Sequence, residues 1–142
     1  MSQNKVQTFS SDIISNTKGN ITKLINKNSI TFKKFGEVYS TRIKPNKIKA
    51  WKMHLKMHSN LFVLVGKVQF VTIRRDFNNN LIYDSFIISQ KDNNHILIPK
   101  KIIFGFKCLD KKESLIINFA SIVHDKNESI NFKLTDFQYG WK

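Results

Sequence analysis

From residue 21 onward the chain alternates apolar and polar positions in short runs, each closed by turn-forming residues. GEVYSTRIK (36–44) reads as a strand ended by the turn pair Pro45–Asn46, and KIKAWKMHLK (47–56) as the strand that follows. NLFVLV (60–65) and KVQFVTIRR (67–75) meet at Gly66. The run Asn78–Asn79–Asn80 turns the chain into LIYDSFIIS (81–89), and Asp92–Asn93–Asn94 turns it into HILIP (95–99). KIIFGFKCL (101–109), SLIINFASIV (114–123) and SINFKL (129–134) complete the series. Roughly nine short strands at near-regular spacing predict an all-β sandwich or closed barrel. No segment past residue 35 carries a 3.6-residue apolar period. Residues 1–20 are polar apart from Ile13–Ile14 and predict a less regular N-terminal arm, frayed or briefly helical, before one domain over 21–142.

The stretch AWKMHLKMHSN (50–60) poses the first chemical question, because His54 and His58 stand four residues apart. On a helix that spacing would suit a zinc-binding pair, and on a strand it would also place both on one face. The β-like surroundings decide for a strand and the connection after it. Lys52, His54 and Lys56 then share one face, opposite Trp51, Met53, Leu55 and Met57. The apolar set reads as core, and His58 as an exposed residue of the following turn.

A chain of 142 residues is long enough for a single domain with its own core. Its formal net charge of +14 attracts polyanions in general. Lysine, asparagine and isoleucine are enriched together, however, which reads as AT-rich coding and not as selection for charge. Arginine, the residue of bidentate base contacts, occurs only as Arg42, Arg74 and Arg75. The strand Val68–Arg75 offers only Phe70 for base stacking, so a basic nucleic-acid-binding β-barrel ranks last. No apolar run reaches the roughly 18 residues of a membrane helix, and MSQNKVQTFSSD carries no signal-like apolar core. A soluble cytoplasmic protein without a membrane partner is expected. Cys108, the single cysteine, sits in an apolar strand and reads as a small buried hydrophobe.

Three blocks in order carry a family resemblance: FGEVYSTRIKPNKIKAWKMHLKMHSNLFVLVGKVQFVTIRRD, IPKKIIFGFKCLDKKESLIINFASIVHD and the ending DFQYGWK. They resemble the short members of the dTDP-4-dehydrorhamnose 3,5-epimerase family, RmlC-like cupins with a jelly-roll (double-stranded β-helix) fold. The likeness runs from about Phe35 to Trp141. It implies a homodimer that binds a nucleotide sugar and needs no cofactor. The implied reaction is metal-free epimerisation or isomerisation of a dTDP-4-keto-6-deoxyhexose for surface-polysaccharide precursors. Where the family has its base histidine, this chain has Lys52, while the partner histidine is kept as His54. Phe104 stands at a family histidine, Asn118 at the tyrosine of the long members, and Lys49 at a phosphate-contacting cation.

The resemblance therefore puts catalysis on Lys52 and His54, with substrate contacts from Lys49, Lys56, Arg42, Asn60, Phe104, Lys107, Asn118 and His124. An ordinary lysine titrates near 10.4 and is a poor base at neutral pH. Either Lys52 is the base, its pKa depressed by like charges, or it binds the pyrophosphate while His54 is the base. Tyr139 and Trp141 are expected to close the fold by packing. A cupin metal site is set aside, because three of its four ligands have no counterpart here. The alternative function is a catalytically degenerate cupin that binds a sugar nucleotide or a protein partner without turnover.

Overall fold

The structure, a computed structural model, describes residues 5–142. Its strands are β1 (Gln7–Ser10), β2 (Asp12–Asn16), β3 (Gly19–Lys23), β4 (Glu37–Ile43), β5 (Ile48–His54) and β6 (Ser59–Val65). They continue as β7 (Lys67–Arg75), β8 (Leu81–Ser89), β9 (Asn94–Ile98), β10 (Ile103–Cys108), β11 (Ser114–Ala120) and β12 (Ser129–Asn131). Two antiparallel five-stranded sheets result, ordered β1-β9-β6-β11-β4 and β12-β5-β10-β7-β8, with β2-β3 as a separate hairpin. This is the all-β architecture that the alternation predicts.

The period of two explains how the sheets pack. Along β11 every second residue is buried, beginning at Ser114. The inner faces meet in a core that includes Ile43, Leu61, Phe70, Ile96, Ile98, Phe104, Cys108 and Ile116. β7 breaks the alternation, with buried residues in unbroken succession from Val68 to Ile73. Its outer face is covered by the C-terminal tail, which builds a second apolar cluster on Trp51, Val71 and Ile73. The Trp51 indole N–H donates to the carbonyls of Leu134 (3.2 Å) and Phe137 (3.1 Å), and its ring lies 5.3 Å from that of Trp141. Tyr139 stacks on Tyr83 at 5.5 Å. Burying a tryptophan this way removes roughly 150–250 Å² from water, a stabilisation of about 4–6 kcal/mol before entropy is counted.

Two local features depart from expectation. Residues 7–23 form strands, where a frayed or helical arm was expected; residues 1–4 of that arm lie outside the described residues. Asn16 turns the hairpin by accepting from the Lys18 amide at 2.8 Å, and Gly19 takes a φ of 151°. The expected boundary at residue 20 thus falls inside β3. The last strand is also shorter than SINFKL, because Leu134–Asp136 coils into a 3-10 turn beneath Trp51.

Two tight positions shape the strand that will carry the site. A Cβ at Gly105 would lie 2.5 Å from the Ala50 Cβ, so glycine lets β10 approach β5 where their register shifts. Lys101 takes a φ of 66°, a conformation that costs a non-glycine residue about 1 kcal/mol. Its amide donates to the His54 carbonyl at 2.6 Å, which fixes the end of β5.

A buried histidine away from the site sets an acid limit on stability. His95 is 4% exposed, stacked 4.5 Å from Phe62 and 5.7 Å from Phe9, with Nε2 3.3 Å from the Thr31 hydroxyl and Nδ1 unpartnered. Burial pushes its pKa from the ordinary 6.5 down to about 4. The unfolded chain therefore binds this proton first as the pH falls, so stability is full above 6.5 and declines toward 4. The loss by pH 4 from this residue is about 3 kcal/mol. A His95→Phe variant should lose correspondingly less between pH 7 and 4 in urea unfolding, whereas an unchanged difference would contradict the assignment. His54 and His58 shift in the same direction, and the variant isolates the part due to His95.

Candidate active site

A cavity of about 420 Å³ opens between the two sheets. One wall is β5 with its neighbours, which supply Lys49, Lys52, His54, Phe104, Phe106 and Asn131. The facing wall comes from the other sheet and supplies Tyr39, Thr41, Leu61, Ile116 and Asn118. Strand parity explains most of both sets, since 39 and 41, 52 and 54, 104 and 106, and 116 and 118 are two apart. Lys49 joins Lys52 across the register shift between Phe104 and Gly105.

His54 is held by a carboxylate. Its Nδ1 lies 2.5 Å from Glu128 Oε1, and the two side chains are 5% and 2% exposed. The other carboxylate oxygen of Glu128 accepts from the amides of Lys56 (3.1 Å) and Met57 (3.2 Å). Burial lowers the His54 pKa and outweighs the raising effect of Glu128, while the neighbouring Lys52 charge lowers it further. Burial alone would push the Glu128 carboxyl up; the hydrogen bonds from His54, Lys56 and Met57 together hold it below the ordinary range. At neutral pH the pair is thus a neutral imidazole donating from Nδ1 to an ionised carboxylate. That tautomer leaves the Nε2 lone pair free to take a proton. Phe104 stacks on the imidazole with centroids 6.0 Å apart and completes its apolar surroundings.

The facing wall carries a phenol. Tyr39 and Asn118 are cross-strand partners, and the Asn118 amide donates to the Tyr39 oxygen at 2.8 Å. The same amide lies 3.3 Å from the Ser59 hydroxyl, while Asn118 Oδ1 is buried without a partner. Burial raises the Tyr39 pKa, only partly offset by the Asn118 hydrogen bond, so the hydroxyl keeps its proton at neutral pH.

Among solved structures, the chain superposes on a dTDP sugar isomerase from Desulfovibrio desulfuricans with a TM-score of 0.83 at 25% identity, covering 90% of this chain and 83% of that one. A dTDP-4-dehydrorhamnose 3,5-epimerase from Sulfolobus tokodaii gives 0.82 at 12% identity, covering 96% and 82%. A 3,4-ketoisomerase from Thermoanaerobacterium thermosaccharolyticum, solved with TDP-4-keto-6-deoxyglucose, gives 0.74 at 18% identity, covering 92% and 88%. The chain has the RmlC-like cupin fold. No protein-family model matches the sequence, and no curated protein matches it either.

Within this RmlC-like fold the expected site residues separate into two groups. Lys49, Lys52, His54, Phe104 and Asn118 line the cavity together. The other five do not reach it. Arg42 points outward from β4 and pairs with Glu113 at 3.1 Å. Asn60 is buried on the far side of β6, where its amide donates to the Thr31 carbonyl at 3.0 Å. The Lys107 ammonium donates to the backbone carbonyl of Lys142 in the tail. The Lys56 side chain is exposed and contributes only its amide, to Glu128. His124 is exposed beyond the end of β11, its amide bonded to Glu37. His58, expected in solvent, is half-buried, and its Nδ1 accepts from the Lys100 amide at 3.4 Å. Among the described residues no group of three or more His, Cys, Asp and Glu side chains is arranged to hold a metal.

Two residues escaped the sequence reading: Glu128 and Tyr39. Glu128 is one of only three glutamates in the chain, which was a signal of a kind. Tyr39 shares its strand face with Thr41 and Ile43, and that parity could have marked it as inward.

Removing Glu128 would leave the His54 Nδ1–H and the amides of Lys56 and Met57 without their acceptor. A Glu128→Ala variant should lose about 3 kcal/mol or more in urea unfolding at pH 7. A loss below about 1 kcal/mol would mean that these bonds are readily replaced by water.

Proposed function

We propose that the chain is a nucleotide-sugar epimerase or isomerase that removes a proton beside the keto group of a dTDP-4-keto-6-deoxyhexose, in the supply of surface-polysaccharide precursors. The observation that carries this reading is the buried His54–Glu128 pair on the wall of the cavity. The fold likeness supports the substrate class, since the solved structures it matches are named for dTDP sugars. A cavity of about 420 Å³ is within the usual range for small-molecule sites.

His54 is the base in this reading. Its carboxylate partner fixes the tautomer, and its lowered pKa keeps Nε2 unprotonated at pH 7. Lys52 and Lys49, on the same wall, supply positive charge to the diphosphate or to the enolate oxygen as it forms. No metal takes part in this reaction as proposed. Because the His54 pKa lies below 6.5, activity should be level above that pH and decline only on further acidification.

The test is deuterium uptake from D2O into dTDP-4-keto-6-deoxyglucose, followed by NMR. His54→Asn should lower uptake at C3 or C5 by about a hundredfold or more. Lys52→Ala should keep a measurable exchange rate at saturation and raise KM. If Lys52→Ala instead abolished exchange while His54→Asn retained it, the roles would be reversed. Phe104, standing where the resemblance implies a histidine, favours a second reading: a binder without turnover. Binding of the nucleotide sugar without exchange would establish that alternative.

The homodimer implied by the resemblance is part of this proposal. The hairpin β2-β3 pairs with no other strand among the described residues and leaves Ile14 and Ile21 exposed at 51% and 61%. Light scattering should give a mass of about twice the 16.6 kDa chain, and a monomer at micromolar concentration would refute it.

A further inference from the structure

Of the buried side-chain atoms without a hydrogen-bond partner among the described residues, Asn118 Oδ1 belongs to a residue that lines the His54 cavity. The other two, His95 Nδ1 and Asn60 Oδ1, belong to the opposite side of the same sheet. Ile96 and Ile98 of β9 and Leu61 of β6 face the inner core, so parity turns His95 and Asn60 outward. Thr31 links the pair. Its hydroxyl lies 3.3 Å from His95 Nε2, and its carbonyl accepts from the Asn60 amide at 3.0 Å. Asn60, His95 and Thr31 are 2%, 4% and 1% exposed, a depth at which unpartnered polar atoms call for an explanation.

The N-terminal arm closes a second cleft over this side of the sheet, with a volume of about 190 Å³. His95 and Thr31 form its floor, and Phe9, Ser11, Asp12 and Lys23 stand on its walls. With Phe9 and Phe62 stacked on it at 5.7 and 4.5 Å, the imidazole meets the cleft by its edge, where its nitrogens are.

We propose that this cleft is a second binding site, separate from the His54 cavity, for a single neutral sugar ring. The charges at the rim balance, because Asp12 and Lys23 are cross-strand partners, so neither an anion nor a cation is favoured. Burial keeps the His95 imidazole neutral at pH 7, with one nitrogen donating and the other accepting. The hydroxyls of Ser11 and Thr31 also serve in both roles. Phe9 adds an aromatic surface beside them. A sugar ring matches this set, since its hydroxyls both give and take hydrogen bonds and its C–H bonds form an apolar face. The cleft has less than half the volume of the His54 cavity, which suits one ring and not a nucleotide sugar. The site stands whether or not the nucleotide-sugar reading does.

The test is NMR of the full chain titrated with D-glucose and with L-rhamnose. The side-chain signals of His95 and Phe9 should shift saturably, with a Kd of about a millimolar, while those of His54 stay in place. Thr31→Val removes one hydroxyl, leaves the carbonyl that holds Asn60, and should weaken binding by about tenfold. Ser11→Phe puts a ring into the cleft and should abolish the shifts; it decides the matter should Thr31→Val fail to fold. No saturable shift with either sugar would overturn the proposal, as would shifts at His54 in place of His95. Equal shifts with inorganic phosphate or glycine would overturn the neutral-sugar assignment, and undiminished binding by Ser11→Phe would place the sugar elsewhere.

Discussion

The Glu128 carboxylate joins two parts of the chain that are far apart in sequence. It meets His54 at the end of β5, the amides of Lys56 and Met57 in the following connection, and the short strand β12 that begins immediately after it. A carboxylate this deeply buried costs several kcal/mol in lost hydration. Three donors offset that cost, and all three must be in place together. The register of β12 on β5, with Ser129 opposite His54 and Asn131 opposite Lys52, follows from the same anchoring. Geometry at the cavity therefore depends on the C-terminal part of the chain being docked.

The two faces of β5 divide this work. On one face Trp51 is pinned by the tail through two indole hydrogen bonds and an aromatic cluster. On the other, Lys52 and His54 line the cavity. An apolar anchor on the outer face limits the freedom of a strand whose inner face carries charge, and charge on an inner face would otherwise favour opening to water. The tail is thus a support for the site as well as a cover for β7. Preorganisation of this kind matters most when a base has to work at one fixed distance.

Much of the fold was legible because a period of two survives even in a chain biased toward lysine, asparagine and isoleucine. The N-terminal hairpin was not: its strands are exposed at every position and so show no burial contrast. The signal there was the turn Asn16–Gly19 rather than any hydrophobic pattern. Among the expected site residues that line the cavity, Lys52 shares parity with His54, and Phe104 with its inward neighbour Phe106. Arg42, Asn60 and Lys107 were misplaced for the converse reason. Each is one position away from a cavity-lining residue, Thr41, Leu61 or Phe106, and so points to the opposite side. Glu128 could not be found by parity, because it lies in a 3-10 turn and reaches His54 across 74 positions.

Lys52 and Phe104, standing where the resemblance implies imidazoles, also have a consistent chemical sense. A second neutral imidazole beside His54 would compete for the same proton, whereas an ammonium cannot accept one. Lys52 instead adds a positive charge that lowers the His54 pKa, and Phe104 adds an apolar ring that keeps water from the imidazole. Both residues favour the neutral base. Each also makes it a weaker one, since a lower pKa means less driving force for taking a proton from carbon. Glu128 opposes that weakening by stabilising the imidazolium once it forms. The arrangement concentrates in one histidine what a cluster of imidazoles could share, and it makes the carboxylate behind that histidine indispensable to the proposed chemistry.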